Sequence, residues 1–468
     1  MLTNLWILTE ERPKSFVIEN IIEIVFRKKS FLGFFNQIRI IPILDENNHF
    51  AFTYKVIGID SNQIANTFIK VVKGSSSFVD FMVFLQEEEP MQKDQPFLII
   101  EETKTTDKES RNTGAGQRAT KFPYSKIFYP NTDQIMLYSS TEEENKNPTE
   151  SNQFFTRLLI TYGVEIHGKK LKEDIFQPFK TIDELINLKN NMKKPPQGNV
   201  PILIEKKSKK IQISGRLWKS GSLSHDPNIG QLSIIAAVLR KLGWKDKIEI
   251  TQHGLEQQNL TAKNKFIHLA NLLFIDLEGL SLPKNNLPNK YWEYEMTGEK
   301  MVTIFLDLLL QYLSGGLSIY SNHAGAERGY FLTKNGKKIT VEKYQDRDAY
   351  KKGDKSQIIN LPDLVICDDD NNQIINIEGE QFKNANAGIK QIKLFDAFEK
   401  FYIEKFYPGM NIFRTVVLFG GDSSGLNNIE VSFILSREGE LLISMENSPK
   451  IFKNATKNLL DFYAVNKN

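Results

Sequence analysis

The chain lacks the residues that would hold a fold together by covalent or metal cross-links. One cysteine, Cys367, occurs in 468 residues, which excludes an internal disulfide and any zinc site built on several thiolates. Histidine is also scarce, six in all, and no two have the His-x-x-x-His spacing. His225, His253 and His323 therefore read as hydrogen-bonding residues and not as metal ligands or general bases. Long apolar runs are missing too. The stretch Leu5-Trp6-Ile7-Leu8 meets Glu10, Glu11 and Arg12 at once, so neither an export signal nor a membrane span is expected. Nor does charge of one sign dominate: 60 Lys and Arg against 57 Asp and Glu leave +3, too little to mark a nucleic-acid binder by itself. These absences together predict a cytoplasmic protein without a membrane partner.

What is present is the balance of a globular chain, 40% hydrophobic and 25% charged. The length predicts more than one core. Ile18, Ile21, Ile22, Val25 and Phe26 at helical spacing predict a helix over Ser15 to Lys29. Strand-like stretches follow at Gln37 to Leu44, Phe50 to Ile57, Phe78 to Leu85 and Pro96 to Lys104. A helix broken by Pro123 is expected over Ala115 to Phe128, then strands at Gln134 to Tyr138 and Arg157 to Ile166. The Lys-, Asn-, Pro- and Gly-rich span 187–212 reads as a linker between residues 1–186 and 213–468. Within the latter, about 213–315 reads as helical and about 316–468 as a second α/β unit. Asn335-Gly336 between apolar runs predicts a hairpin, and Gly388 to Phe406 a long helix. Each half has the same order: strand with Asp, strand with paired charges, helix, strand.

The chemistry gathers on those strands. Phe78-Val79-Asp80-Phe81-Met82-Val83-Phe84 sets a carboxylate in an apolar strand, and Phe97-Leu98-Ile99-Ile100-Glu101-Glu102-Thr103-Lys104 ends the next in charge. Residues two apart on a strand share a face, so Glu102 and Lys104 point together, and a neighbouring strand brings Asp80 beside them. Charges at a strand end ordinarily face water, but an acid inside so apolar a strand is costly without a partner or ligand. Asp80 and Glu102, with a phosphate oxygen, suit Mg²⁺, and Lys104 suits the orientation or deprotonation of a water. In the second half, Pro362-Asp363-Leu364-Val365-Ile366 is followed by Ile374-Ile375-Asn376-Ile377-Glu378-Gly379-Glu380. Glu378 and Glu380 share a face and Asp363 lies across the hairpin. Three such carboxylates repel one another unless a cation joins them; the alternative is pairing with Lys383 or Lys390.

The pattern Pro362-Asp363, apolar strand, Glu378-Gly379-Glu380 resembles the PD-(D/E)XK nuclease superfamily with Glu in place of the last lysine. Asp80 with Glu102-Thr103-Lys104 resembles the same motif with Val79 in the place of proline. Ser224-His225-Asp226-Pro227-Asn228-Ile229-Gly230, Gly243-Trp244 and Ile250-Thr251-Gln252-His253-Gly254-Leu255 are similar to segments of type II restriction enzymes. The resemblance implies an α/β protein of two PD-(D/E)XK-like units, each a mixed central sheet flanked by helices. It implies Mg²⁺ held by Asp80 and Glu102 and by Asp363 and Glu378, with Lys104 and Glu380 completing the catalytic sets. The partner implied is double-stranded DNA, recognised by the helical region of about 213–315 and cut at a short and asymmetric sequence with one active site per strand, as a monomer or a homodimer. A DNA methyltransferase is implied as genetic partner. A nicking endonuclease with one working site, or a DNA-binding protein on a decayed nuclease fold, fits the same residues.

Overall fold

The computed structural model describes residues 2–74, 77–103, 116, 118–138, 149–193, 200–219, 222–223, 227–261, 265–284, 289–322 and 329–466. The chain is mixed α/β. Contacts divide it into two compact units: a terminal unit of Met1–Leu5, Glu11–Val71 and Tyr294–Asn468, and a central unit of Trp6–Glu10 and Val72–Glu293. Among the described residues no helix is long and apolar enough to cross a membrane.

After a first strand, Thr3–Thr9, comes helix α1 (Ser15–Lys29) of the terminal unit, which lies where its apolar spacing predicts and buries Val17, Ile18, Ile21, Ile22 and Val25. Strands β1 (Gly33–Leu44), β2 (Phe50–Ser61) and β3 (Ile64–Gly74) then form an antiparallel meander. The third of these strands carries no clean alternation of polar and apolar residues in the sequence and was not expected.

The central unit begins with β4 (Phe81–Leu85) and β5 (Leu98–Thr103), an antiparallel pair with Phe81 opposite Ile100. Helix α2 (Lys121–Phe128) leads to β6 (Asp133–Tyr138), parallel to β5, and helix α3 (Glu150–Tyr162) leads to β7 (Val164–His167), parallel to β6. The expected strand over Arg157 to Ile166 is therefore mostly helix. Its bounds come from the caps: the Thr149 hydroxyl accepts the Asn152 N–H, and Gly163 takes φ 104°. Phe154, Phe155, Leu158 and Leu159 line the buried face, and burial at that spacing outweighs the strand propensity of Ile160 and Thr161.

The span 187–212 holds the end of a helix (Ile182–Asn191) and a hairpin of β8 (Ile204–Lys207) and β9 (Lys210–Ser214). Helix α4 (Pro227–Lys241) returns the chain to β10 (Lys247–Thr251), and α5 (Lys265–Leu272) to β11 (Ile275–Leu277), both strands parallel to β9 in one sheet. The core of this unit joins Phe154, Leu158, Ile211, Ile235, Val238, Ile248 and Phe266.

The rest of the terminal unit is built round helix α6 (Glu299–Leu313), whose residues Met301 to Leu310 are all buried. It is packed all round, as its nearly unbroken apolar sequence requires. Strand β12 (Leu317–Ser321) pairs antiparallel with β13 (Leu364–Asp368), and β13 pairs antiparallel with β14 (Gln373–Gln381). Helix α7 (Ala385–Ile392) leads to β15 (Asn411–Phe419), parallel to β14, and β16 (Val431–Leu435) lies parallel to β15. The hairpin turning at Gly336, φ 79°, lies between Tyr330–Leu332 and Lys338–Thr340. The long helix expected over Gly388 to Phe406 is interrupted after Ile392 and contains a π turn at Glu399–Ile403. There Glu399 accepts from Asn376 Nδ2 at 2.6 Å and from Arg414 Nε at 2.7 Å. Satisfying that buried carboxylate explains a local departure from α geometry.

Candidate metal centre

Two clusters of carboxylates stand at matching points of matching strand sets. Asp80 immediately precedes β4 and Asp363 immediately precedes β13. In each case the next strand is antiparallel to this one and parallel to the strand after it. Asp80 Oδ2 accepts the N–H of Glu102 at 2.7 Å, and Asp363 Oδ2 accepts the N–H of Gly379 at 2.9 Å. Those donors are the residues after Glu101 and Glu378. Register thus makes Glu101, and not Glu102, the counterpart of Glu378, and Thr103 the counterpart of Glu380.

In the central unit the structure brings Asp80 together with Glu101, whose Oε2 accepts the Asp80 N–H at 3.2 Å. Glu102 is buried and gives Asp80 its backbone N–H; by strand alternation its side chain takes the other face. Lys104 lies outside the described residues. Two cations not singled out in the sequence, one on α2 and one just before it, meet the acids. Lys121 Nζ is 3.2 Å from Asp80 Oδ1 and 2.8 Å from the Glu101 carboxylate. Arg118 Nη1 is 2.7 Å from Glu101 Oε1 and 3.4 Å from Asp80 Oδ2. Burial would raise Asp80, but Lys121, Arg118 and the Glu102 N–H together hold it below the usual carboxylate range. Burial and then the Asp80 charge push Glu101 up to about 7, against the pull of the same two cations. Burial opposes the charge on Lys121, yet Asp80 and Glu101 raise it above the ordinary lysine value.

In the terminal unit Asp363, Glu378 and Glu380 come together as alternation and the hairpin predict, and Glu299, the first residue of α6, joins them. Gly379 admits it. A Cβ on Gly379 would stand 2.4 Å from Thr303 Cγ2, so only glycine lets α6 lie this close to β14. On the far side, a Cβ at Gly388 of α7 would meet Glu380 Cγ at 3.0 Å. Burial pushes Asp363 up to about 7, with Glu299 and Glu380 adding to it and the Gly379 N–H opposing. Burial, then Asp363, Glu380 and Glu299, push Glu378 up to about 9. Burial and then Glu380 raise Glu299. Glu378 Oε2 is buried with no hydrogen-bond partner. Among the described residues no cationic side chain pairs with these four acids, Lys383 and Lys390 included. The described residues contain no ready-made group of three or more His, Cys, Asp or Glu placed to hold a metal ion.

Among the described residues, His253 and Cys367 have structural surroundings. His253 Nε2 meets the Glu278 carbonyl at 2.9 Å and its Nδ1 accepts the Leu255 N–H at 3.0 Å, so both ring nitrogens serve a turn. Burial first, and then Asp369, push the Cys367 thiol up to about 12, which leaves it a core residue and no nucleophile. His225 and His323 lie outside the described residues. No family model, characterised protein or solved structure matches the chain.

Proposed function

We propose that this chain is a divalent-metal-dependent endonuclease of the type II restriction kind, acting on double-stranded DNA, with Asp363 and Glu378 as the ligands of its metal ion and Glu380 completing the catalytic set. One observation carries the reading: four acids gather at a strand end with a buried, unpartnered Glu378 oxygen and no paired cation among the described residues. Like charges at this spacing stay ionised together only when a cation joins them. Hard oxygen donors suit Mg²⁺, which needs only one or two carboxylates because it keeps several waters and takes substrate oxygens. Asp363 and Glu378 fit that requirement. Bound there, the ion would polarise a phosphoryl oxygen and acidify a water.

The chain's own residues have separate parts. Asp363 is oriented by the Gly379 N–H, Glu380, on the Glu378 face of β14, would take the proton of the attacking water, and Glu299 would add to the negative field of the cluster. DNA as substrate, the PD-(D/E)XK fold and a protecting methyltransferase rest on the resemblance of Pro362-Asp363 and Glu378-Gly379-Glu380 to that superfamily.

Supercoiled plasmid incubated with the full chain and Mg²⁺ should become open circles or linear DNA. Excess EDTA should stop the reaction, and Asp363→Asn should slow it on the order of 100-fold or more. Undiminished cutting in EDTA, or by Asp363→Asn, would refute the assignment.

A further inference from the structure

The two clusters share strand order, register and an Asp accepting the same backbone N–H, so what differs between them is informative. In the terminal unit the helix after the second acidic strand offers Gly388 to the acids. In the central unit the corresponding connection brings Lys121 and Arg118 into contact with both Asp80 and Glu101. The two positive charges match the two carboxylates, and each cation touches both acids, as a bridging metal ion would.

We propose that Lys121 and Arg118 occupy the position of a divalent cation between Asp80 and Glu101, so that the central cluster is closed to metal and the chain keeps one metal centre. This rests on the metal-centre reading above for the role of the twin cluster, though not for its own test. A bound divalent ion would have to displace two charged groups held at 2.7 to 3.4 Å, and the displaced cations would then repel it. A cluster neutralised from within is a fixed cross-brace between β5 and the approach to α2. It follows that one chain opens one DNA strand at a time. Cutting both strands then takes a second copy or a second encounter, and open circles should accumulate before linear DNA.

Binding of Mn²⁺ to the full chain, counted by electron paramagnetic resonance and by calorimetry, tests the closure without DNA. Asp80→Asn should leave the number of bound ions unchanged. The Arg118→Gln/Lys121→Gln variant should gain one ion per chain, and adding Asp80→Asn to it should remove that ion again. Lys121→Gln alone, should the double variant not fold, should gain the same ion at lower affinity. A fall in bound Mn²⁺ on Asp80→Asn in the otherwise native chain overturns the proposal, as does a folded Arg118→Gln/Lys121→Gln variant that takes no additional ion. No binding to the native chain would instead defeat the metal-centre reading, and the gain in the double variant would still decide this one.

Discussion

At the scale of single residues, the terminal cluster gathers like charges that repel one another. Burial and the neighbouring acids push Glu378 up to about 9 and Asp363 up to about 7 in the folded chain, above the roughly 4 of a free carboxylate. The folded state therefore binds protons more readily than the unfolded one. Their contribution to stability is fully present below about pH 4 and is lost as pH rises through the folded values. In EDTA the melting temperature should fall between about pH 5 and 9, and Glu378→Gln should flatten that decline. At pH 8 the variant should melt higher, by about 2–4 °C for each kcal/mol recovered. Mg²⁺ should stabilise the native chain more as pH rises, because ion and protons compete for the same oxygens. An unchanged slope in Glu378→Gln would show that the repulsion lies elsewhere. Lys121 has the opposite role. Removing it leaves two buried acids to Arg118 alone, so Lys121→Met should cost about 3 kcal/mol, read as a shift of the urea midpoint, whereas Lys121→Arg should keep most of the stability. A loss under about 0.5 kcal/mol would be that of an exposed pair.

At the scale of elements, the approach of α6 to β14 builds the site. Thr303 Cγ2 fills the space where a side chain on Gly379 would be, and Glu299 enters the cluster from the same helix. Gly379→Ala should force the helix back and cost about 1–3 kcal/mol. Thr303→Ser removes the obstructing methyl and keeps the hydroxyl that donates to the Lys300 carbonyl at 3.0 Å. The pair Gly379→Ala/Thr303→Ser should therefore recover much of the loss, and a double-mutant cycle on thermal stability measures the coupling. Additive effects would place the strain outside this contact. Arg414 braces the other face of the sheet, where its guanidinium holds Glu399 at 2.6–2.7 Å with Asn376. The same guanidinium donates from Nη1 to the Ile392 carbonyl at 3.1 Å, where the helix expected over Gly388 to Phe406 is interrupted.

At the scale of the whole molecule, a net charge of +3 leaves little general attraction for DNA. Non-specific affinity should fall steeply between 50 and 200 mM salt, while a target-bearing duplex should hold on longer through base contacts. Filter binding or fluorescence anisotropy with random and target duplexes checks this. Equal salt slopes and no preference would favour a structural DNA-binding protein over a restriction enzyme.

Much of the local structure is written in the order of residues. The apolar spacing of Ile18, Ile21, Ile22 and Val25 marks α1 and its buried face, and the alternation Glu378-Gly379-Glu380 puts two acids on one face with Asp363 across the hairpin. Those are short-range properties, since a period and a turn need only neighbours along the chain. What only the tertiary structure decided depends on register and on approach from afar. Whether Asp80 faces Glu101 or Glu102 is a matter of one residue in the pairing of β4 with β5, and a slip of one exchanges the faces of the strand. Asp80 opposite Glu101 follows from Phe81 standing opposite Ile100, which no local pattern specifies. Arg118, Lys121 and Glu299 carry no motif either, because they reach their clusters from helices or connections whose packing is set by cores distant in sequence. Asp80, Asp363, Glu378 and Glu380 were therefore legible in the chain, whereas the choice of Glu101 over Glu102, the entry of Glu299 and the cations that answer Asp80 were settled by folding.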